Sequence, residues 1–147
     1  MLMTWLLILH ALSTVFMMGL IWFVQVVHYP LFAMVEGEGS GAYALSHQRR
    51  TTWVVGPAML VELSSATLLV FYLPGWMTVT GLVLVGVAWC STAFDMVPRH
   101  QRLLGGHDAA VVRRLVLGNW VRTFAWSVRG VLSLVLLSGS GVGVVAG

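Results

Sequence analysis

Four long apolar stretches, separated by short polar strings, set the pattern of this chain. They run from about Thr4 to Tyr29, from about Trp53 to Leu73, from about Trp76 to Val97, and from about Asn119 to 145. About 20 predominantly apolar residues are needed to cross the hydrocarbon core of a bilayer, so each stretch predicts a transmembrane helix. The link LPGW between the second and third is short enough to make them antiparallel neighbours. Pro30, in the string HYPLF, is expected to close the first span, and Pro98 the third. The string EGEGSG then reads as a flexible acidic loop, and AYALSHQRRTTW as a helical turn lying at the interface. Beyond Pro98, Asp108 follows Gly105 and Gly106 and is placed to cap a short amphipathic helix, with Val112, Leu115 and Val116 on its apolar side. The expected architecture is all-α, an integral membrane four-helix transmembrane bundle forming a single domain over 1–147.

The polar residues inside these stretches change the picture most. In the fourth, Asn119, Arg122, Trp126 and Arg129 follow i, i+3, i+7, i+10 and share one narrow helical face. An arginine deep in hydrocarbon is costly and faces a protein interior with a partner. The second stretch holds Glu62 near its middle. Glu62 lies nine residues after Trp53 and Arg129 nine after Trp120, so both should sit about 13 Å past the tryptophans at 1.5 Å per residue. Mutual neutralisation is the simplest outcome, and a polar interior with Glu62 as an acid/base is the functional alternative. Asp95, one turn inside the same boundary as Arg122, is its expected partner. Alternatively, Arg122 and Asn119 hold an oxygen-rich head group, because a guanidinium bonds bidentately and stacks on aromatic faces. Trp126 and Trp22 would then contact the ring. Gln25 and His28 are i, i+3 neighbours at the end of the first span. With Arg129 and Glu62 they would line the polar interior, His28 being a second candidate acid/base.

Composition agrees with a membrane protein: 59% of the 147 residues are hydrophobic and 9% are charged, against about 25% charged in soluble domains. The N-terminal apolar run lacks a basic leader and is longer than a signal h-region, so it is expected to remain as a helix. The arginines outside the spans cluster in the first and third connections, as Arg49 and Arg50, then Arg99, Arg102, Arg113 and Arg114. That pattern is expected of cytoplasmic loops rather than of nucleic-acid binding, and it predicts a bacterial inner-membrane protein with both termini outside. Lysine is absent, which removes Schiff-base chemistry. The lone Cys90 lies in an apolar span and provides neither a disulfide framework nor a thiolate cluster.

The five histidines raise cofactor chemistry. A haem held by His28 and a loop histidine is one candidate, although no CxxCH string is present. A metal bound by His28, His47 and Asp95 has no short ligand motif behind it, and no metal site is expected. His10, 18 residues and five turns from His28, reads as a polar helix-packing residue. Met17, Met18 and Met59 read as gap-fillers.

Two further patterns concern assembly. Pro30 to Trp53 spans 23 residues and Pro98 to Trp120 spans 22, each segment holding glycines and an arginine pair. Either two parallel helical-hairpin repeats or a chance likeness of apolar hairpins accounts for this. Gly139, Gly143 and Gly147 form a small-xxx-small face suited to close helix contact, through which a protein partner or a second copy could dock.

The string VPRHQRLL, the amphipathic segment after it and NWVRTFAWSVRGVL resemble the four-helix bacterial membrane family that includes anthrone-oxygenase-like proteins. Pro98, Asn119 and Arg122 stand at that family's proline exit from helix three and its Asn-x-x-Arg opening of helix four. The helix-one histidine and the HYPLF exit are more faintly similar to haem-associated protoporphyrinogen-oxidase-like membrane proteins. The resemblance implies a four-helix membrane fold. Taken with the residues, it leads to the expectation of a protein that binds a lipophilic aromatic or quinone-like molecule, with oxidation or oxygenation as its candidate chemistry. The other expectation is a non-enzymatic accessory subunit of a respiratory or photosynthetic complex.

Overall fold

The computed structural model describes residues 1–139. Four helices account for most of them: α1 (Leu2–Phe32), α2 (Ser40–Tyr72), α3 (Trp76–Gly105) and α4 (Ala109–Gly139). All four are long and apolar enough to cross a membrane, and the fold is an all-α four-helix bundle. Short connections make neighbours antiparallel. α1 packs on α2, α2 on α3 and α3 on α4, and α4 returns against α1, so the ring closes.

The exterior of the bundle is apolar. Leu12, Phe16, Trp53, Leu60, Phe71, Val83, Phe94, Phe124 and Val131 are exposed, and between 22% and 44% of each helix's most apolar window is buried within the protein. Such a surface would aggregate in water and suits acyl chains. By length and composition the chain is a multi-pass membrane protein.

The helices are longer than the sequence pattern predicts. At 30 to 33 residues each is about 45–50 Å long, well over the ~30 Å hydrocarbon core. The excess lies at the end carrying the arginine-rich connections, termed here the basic end. Pro30 does not close α1, and Pro98 does not close α3. Each helix passes through its proline by way of a π-helical turn, Val24–His28 in α1 and Thr92–Met96 in α3. Proline has no N–H for the carbonyl four residues back, and a widened turn is one way to absorb that defect. The string AYALSHQRRTTW is not a separate interfacial turn but part of α2. Likewise the amphipathic segment and the fourth span form one helix. Asp108 caps it as expected, its carboxylate accepting from the backbone N–H of Ala110 and Val111 at 2.9 and 3.0 Å. Val112 and Leu115 are buried.

The connections are fixed by local chemistry. Gly37 and Gly106 take φ of 82° and 125°, the left-handed region that glycine enters without steric cost. At the opposite end, the Thr78 hydroxyl accepts from the Gly75 N–H at 3.1 Å and steadies the start of α3. Gly41 allows α2 to approach α3, since an added Cβ would lie 2.6 Å from the Leu104 carbonyl oxygen. Gly41→Ala is therefore expected to cost about 1–3 kcal/mol through overpacking. Gly19→Ala meets nothing within 4 Å and should gain up to ~1 kcal/mol of helix propensity. Thermal unfolding of both variants in one detergent checks this, and equal midpoints would sink the contrast. An added Cβ at Gly139 likewise meets nothing within 4 Å among the described residues. Gly143 and Gly147 of the expected small-residue face lie outside the described residues.

Candidate functional site

The polar interior divides into three groups along α4. The deepest is the ion pair expected from matched depth. Arg129 Nη2 donates to Glu62 Oε1 at 3.1 Å, and both side chains are 1% exposed. Arg129 Nη1 also donates to the Gly81 carbonyl of α3, and Nη2 reaches the Thr14 hydroxyl of α1 at 3.5 Å. The Trp126 indole N–H donates to Glu62 Oε2 at 2.8 Å. Both carboxylate oxygens are thus engaged, and groups from all four helices meet at this pair. One turn towards the LPGW end, His10 Nδ1 lies 2.9 Å from the Ser65 hydroxyl, which donates to the Glu62 carbonyl at 3.2 Å. His10 therefore packs α1 on α2, as its position suggests.

The second group ties α1 to α4 near the basic end. Gln25 Oε1 accepts from Asn119 Nδ2 at 2.9 Å and from the Thr123 hydroxyl at 3.4 Å, and Gln25 Nε2 donates to the Val116 carbonyl at 3.1 Å. Asn119 Nδ2 is thus engaged by Gln25, while Asn119 Oδ1 stays buried without a partner, and neither residue lines the cavity beside Arg122.

The third group surrounds a cavity of about 200 Å³ that is open on one side. Tyr29 of α1, His47, Gln48 and Thr51 of α2, Met96 and His100 of α3 and Arg122 of α4 line it. The π turns of α1 and α3 bring their parts into place: Tyr29 directly follows one, and His100 lies one helical turn beyond the other. His47 and His100 stack with ring centroids 5.3 Å apart and planes 15° from parallel. His28 Nε2 approaches His47 Nδ1 at 2.7 Å, and the Thr51 hydroxyl reaches the same nitrogen at 3.2 Å. Tyr29 lies against His100 at 5.5 Å between ring centroids. Arg122 is only 7% exposed. Its guanidinium carbon stands 5.4 Å from the Trp126 ring centroid, a cation–π stack. Three buried polar atoms on the residues lining this cavity have no hydrogen-bond partner: Arg122 Nε, His100 Nε2 and Gln48 Nε2. Asn119 Oδ1 and Arg129 Nε are buried without a partner as well, so among the described residues the unpaired polar atoms are not confined to the lining of this cavity, although buried polar groups are nearly always paired.

The structure brings some of the expected site residues together and separates others. Arg122 and Trp126 stack as anticipated. Asp95 does not pair with Arg122 but with Arg99, one turn along α3, because the helix continues past Pro98 and makes the i+4 arginine its nearest cation. Trp22 does not reach the cavity. It is exposed on α1, its indole N–H donates to the Ser127 hydroxyl at 3.0 Å, and it packs edge-on against Trp120. His28 stands behind His47, and Glu62 and Arg129 lie deeper, beyond Trp126. Tyr29, Gln48, Thr51 and His100 were not anticipated at the site. Their place depends on α1 and α3 running on through Pro30 and Pro98, for which the sequence carried no clear signal.

His28 and His47 as placed do not bracket a haem iron. An atom between two imidazoles holds their nitrogens about 4 Å apart, twice a bond of ~2.0–2.1 Å, whereas His28 and His47 stand at 2.7 Å with stacked rings. Among the described residues no group of three or more His, Cys, Asp or Glu side chains is arranged to hold a metal ion.

No protein-family model, no curated protein and no solved structure matches the chain. The resemblances to anthrone-oxygenase-like and haem-associated membrane proteins therefore bring no residue assignment to the cavity.

Proposed function

We propose that the chain is an inner-membrane protein that binds a lipophilic, ring-bearing molecule, aromatic or quinone-like, in the cavity at the basic end of the bundle. The observation that carries this reading is Arg122: a nearly buried guanidinium on the cavity wall, standing over the Trp126 ring, with Nε unpartnered. A buried charge without an anionic side chain beside it is expensive, and an oxygen-bearing ligand would offset that cost. The volume suits one substituted ring. An apolar cavity of ~150 Å³ takes a benzene, and drug-sized ligands occupy ~300–1,000 Å³. The arginine bias of the connections supports a cytoplasmic position for this end and external termini.

The test is a titration of the purified protein in detergent with 4-hexyloxyphenol, followed by tryptophan fluorescence. Saturable one-to-one binding is expected. Arg122→Ala should weaken it roughly ten- to hundredfold, as befits loss of a hydrogen bond to a charged group, while the unfolding midpoint moves little. Equal affinity in Arg122→Ala, or no saturable binding, would overturn the proposal. Stoichiometric co-purification of another membrane protein in place of binding would favour the accessory-subunit role.

A further inference from the structure

α4 carries two buried arginines, and only one of them has a counter-ion within the chain. Arg129 is 1% exposed and meets the equally buried Glu62 at 3.1 Å. Arg122, two turns nearer the basic end, is 7% exposed and lines the cavity. The chain has five acidic side chains, and all are placed elsewhere. Glu62 is held by Arg129 and Trp126, and Asp95 is paired with Arg99. Asp108 accepts from the first turn of α4, and Glu36 and Glu38 are exposed in the connection from α1 to α2. Among the described residues no carboxylate lines the cavity. The other ionisable groups on its wall, Tyr29, His47 and His100, carry no negative charge at neutral pH. The wall therefore holds one permanent positive charge and no negative one. The Trp126 ring beneath the guanidinium is no substitute, because a cation–π contact contributes less than the burial of an unpaired charge costs.

The surroundings add to the imbalance. Arg49, Arg50, Arg102, Arg113 and Arg114 are exposed at the basic end, against Glu36, Glu38 and Asp108. A surplus of positive charge at the end that holds the cavity attracts anions towards it.

Resting on the reading of this cavity as a site for a ring-bearing molecule, we infer that the ligand is an aromatic acid, bound as its carboxylate in preference to the neutral ester. The anion gives Arg122 what Glu62 gives Arg129. Arg122 acts through its charge, which is felt across several ångströms in a poorly screened interior, so the selection depends on no single nitrogen facing the ligand.

The experiment compares 4-hexyloxybenzoate with its methyl ester by tryptophan fluorescence at pH 7 in an uncharged detergent, correcting for partition of each into micelles. The benzoate should bind the native protein at least about tenfold more tightly, the discrimination expected of one interaction with a charged group. In Arg122→Gln that preference should vanish, chiefly through weakening of the benzoate, and Arg122→Lys, which keeps the charge, should retain part of it. Gln48→Glu leaves Arg122 in place and adds a carboxylate to the cavity wall, so it should abolish the preference by supplying an internal counter-ion. Equal binding of benzoate and ester to the native protein would overturn the inference while leaving a ring-binding cavity in place. So would saturable binding of 4-hexyloxyphenol without binding of the benzoate. A preference unchanged in both Arg122→Gln and Gln48→Glu would put the anion elsewhere and overturn the role of Arg122. If the benzoate, the ester and the phenol all fail to bind saturably, both the inference and the function proposed above fall.

Discussion

Glu62→Gln is expected to destabilise the bundle by about 3–5 kcal/mol, the usual result of removing one charge from a buried pair. The carboxylate accepts from Arg129 on one oxygen and from Trp126 on the other. An amide in its place would present one oxygen and an NH₂ group to these two donors. Arg129 would keep the Gly81 carbonyl and Thr14 but lose its counter-charge in a site that is 1% exposed. The double variant Glu62→Met with Arg129→Met should recover much of the loss, because an apolar pair of similar volume avoids the desolvation cost that the ion pair must offset. Equilibrium unfolding of the single and double variants in mixed detergent micelles measures both. A Glu62→Gln protein that unfolds like the native one yet binds no phenol would sink the structural role and restore Glu62 as a functional group. The geometry favours the structural role, since Glu62 lies beyond Trp126 and does not line the cavity.

The pairing of Glu62 with Arg129 was legible in the sequence for a physical reason. An unpaired charge in hydrocarbon is costly, so equal offsets from Trp53 and Trp120 made mutual pairing the simplest arrangement. Apolar length likewise made the four helices legible, and the i, i+3, i+7, i+10 rule placed Asn119, Arg122, Trp126 and Arg129 on one buried face, as observed. The cavity was less legible because its walls depend on helices that persist through proline. Reading Pro30 and Pro98 as helix ends assigned His47 and His100 to loops, where their mutual position has no rule. Two π turns instead carry α1 and α3 onward and bring Tyr29 and His100 to face α2. The same misreading gave Asp95 to Arg122 when its i+4 neighbour Arg99 was closer. Asn119 shows a different limit. Helical spacing fixes the face a side chain leaves from, but its choice between Gln25 on α1 and a ligand beside Arg122 is decided by interhelix distance.

Trp126→Ala should be the most damaging single change at the boundary between the ion pair and the cavity. Trp126 is 1% exposed, and truncating a buried tryptophan costs about 3–5 kcal/mol in lost transfer energy and residual cavity. Its indole N–H also serves Glu62 Oε2, and leaving that buried oxygen without its donor adds roughly 1–3 kcal/mol. Trp126→Phe separates the two contributions. It keeps most of the volume and an aromatic face for Arg122, and it removes only the N–H, so a loss of about 1.5–3 kcal/mol is expected for a hydrogen bond to a charged group. The two variants should also differ at the cavity. Arg122 stands 5.4 Å from the Trp126 ring centroid, and with no ring beneath it the long side chain regains rotamer freedom that binding must then remove. Phenol affinity should therefore fall further in Trp126→Ala than in Trp126→Phe, where a phenyl face still orients the guanidinium. Unfolding and phenol titration on the same two preparations give both readouts. Native stability in Trp126→Phe would mean that the indole N–H contributes nothing to Glu62, and native phenol affinity in Trp126→Ala would mean that Arg122 is positioned by something other than the ring it rests on.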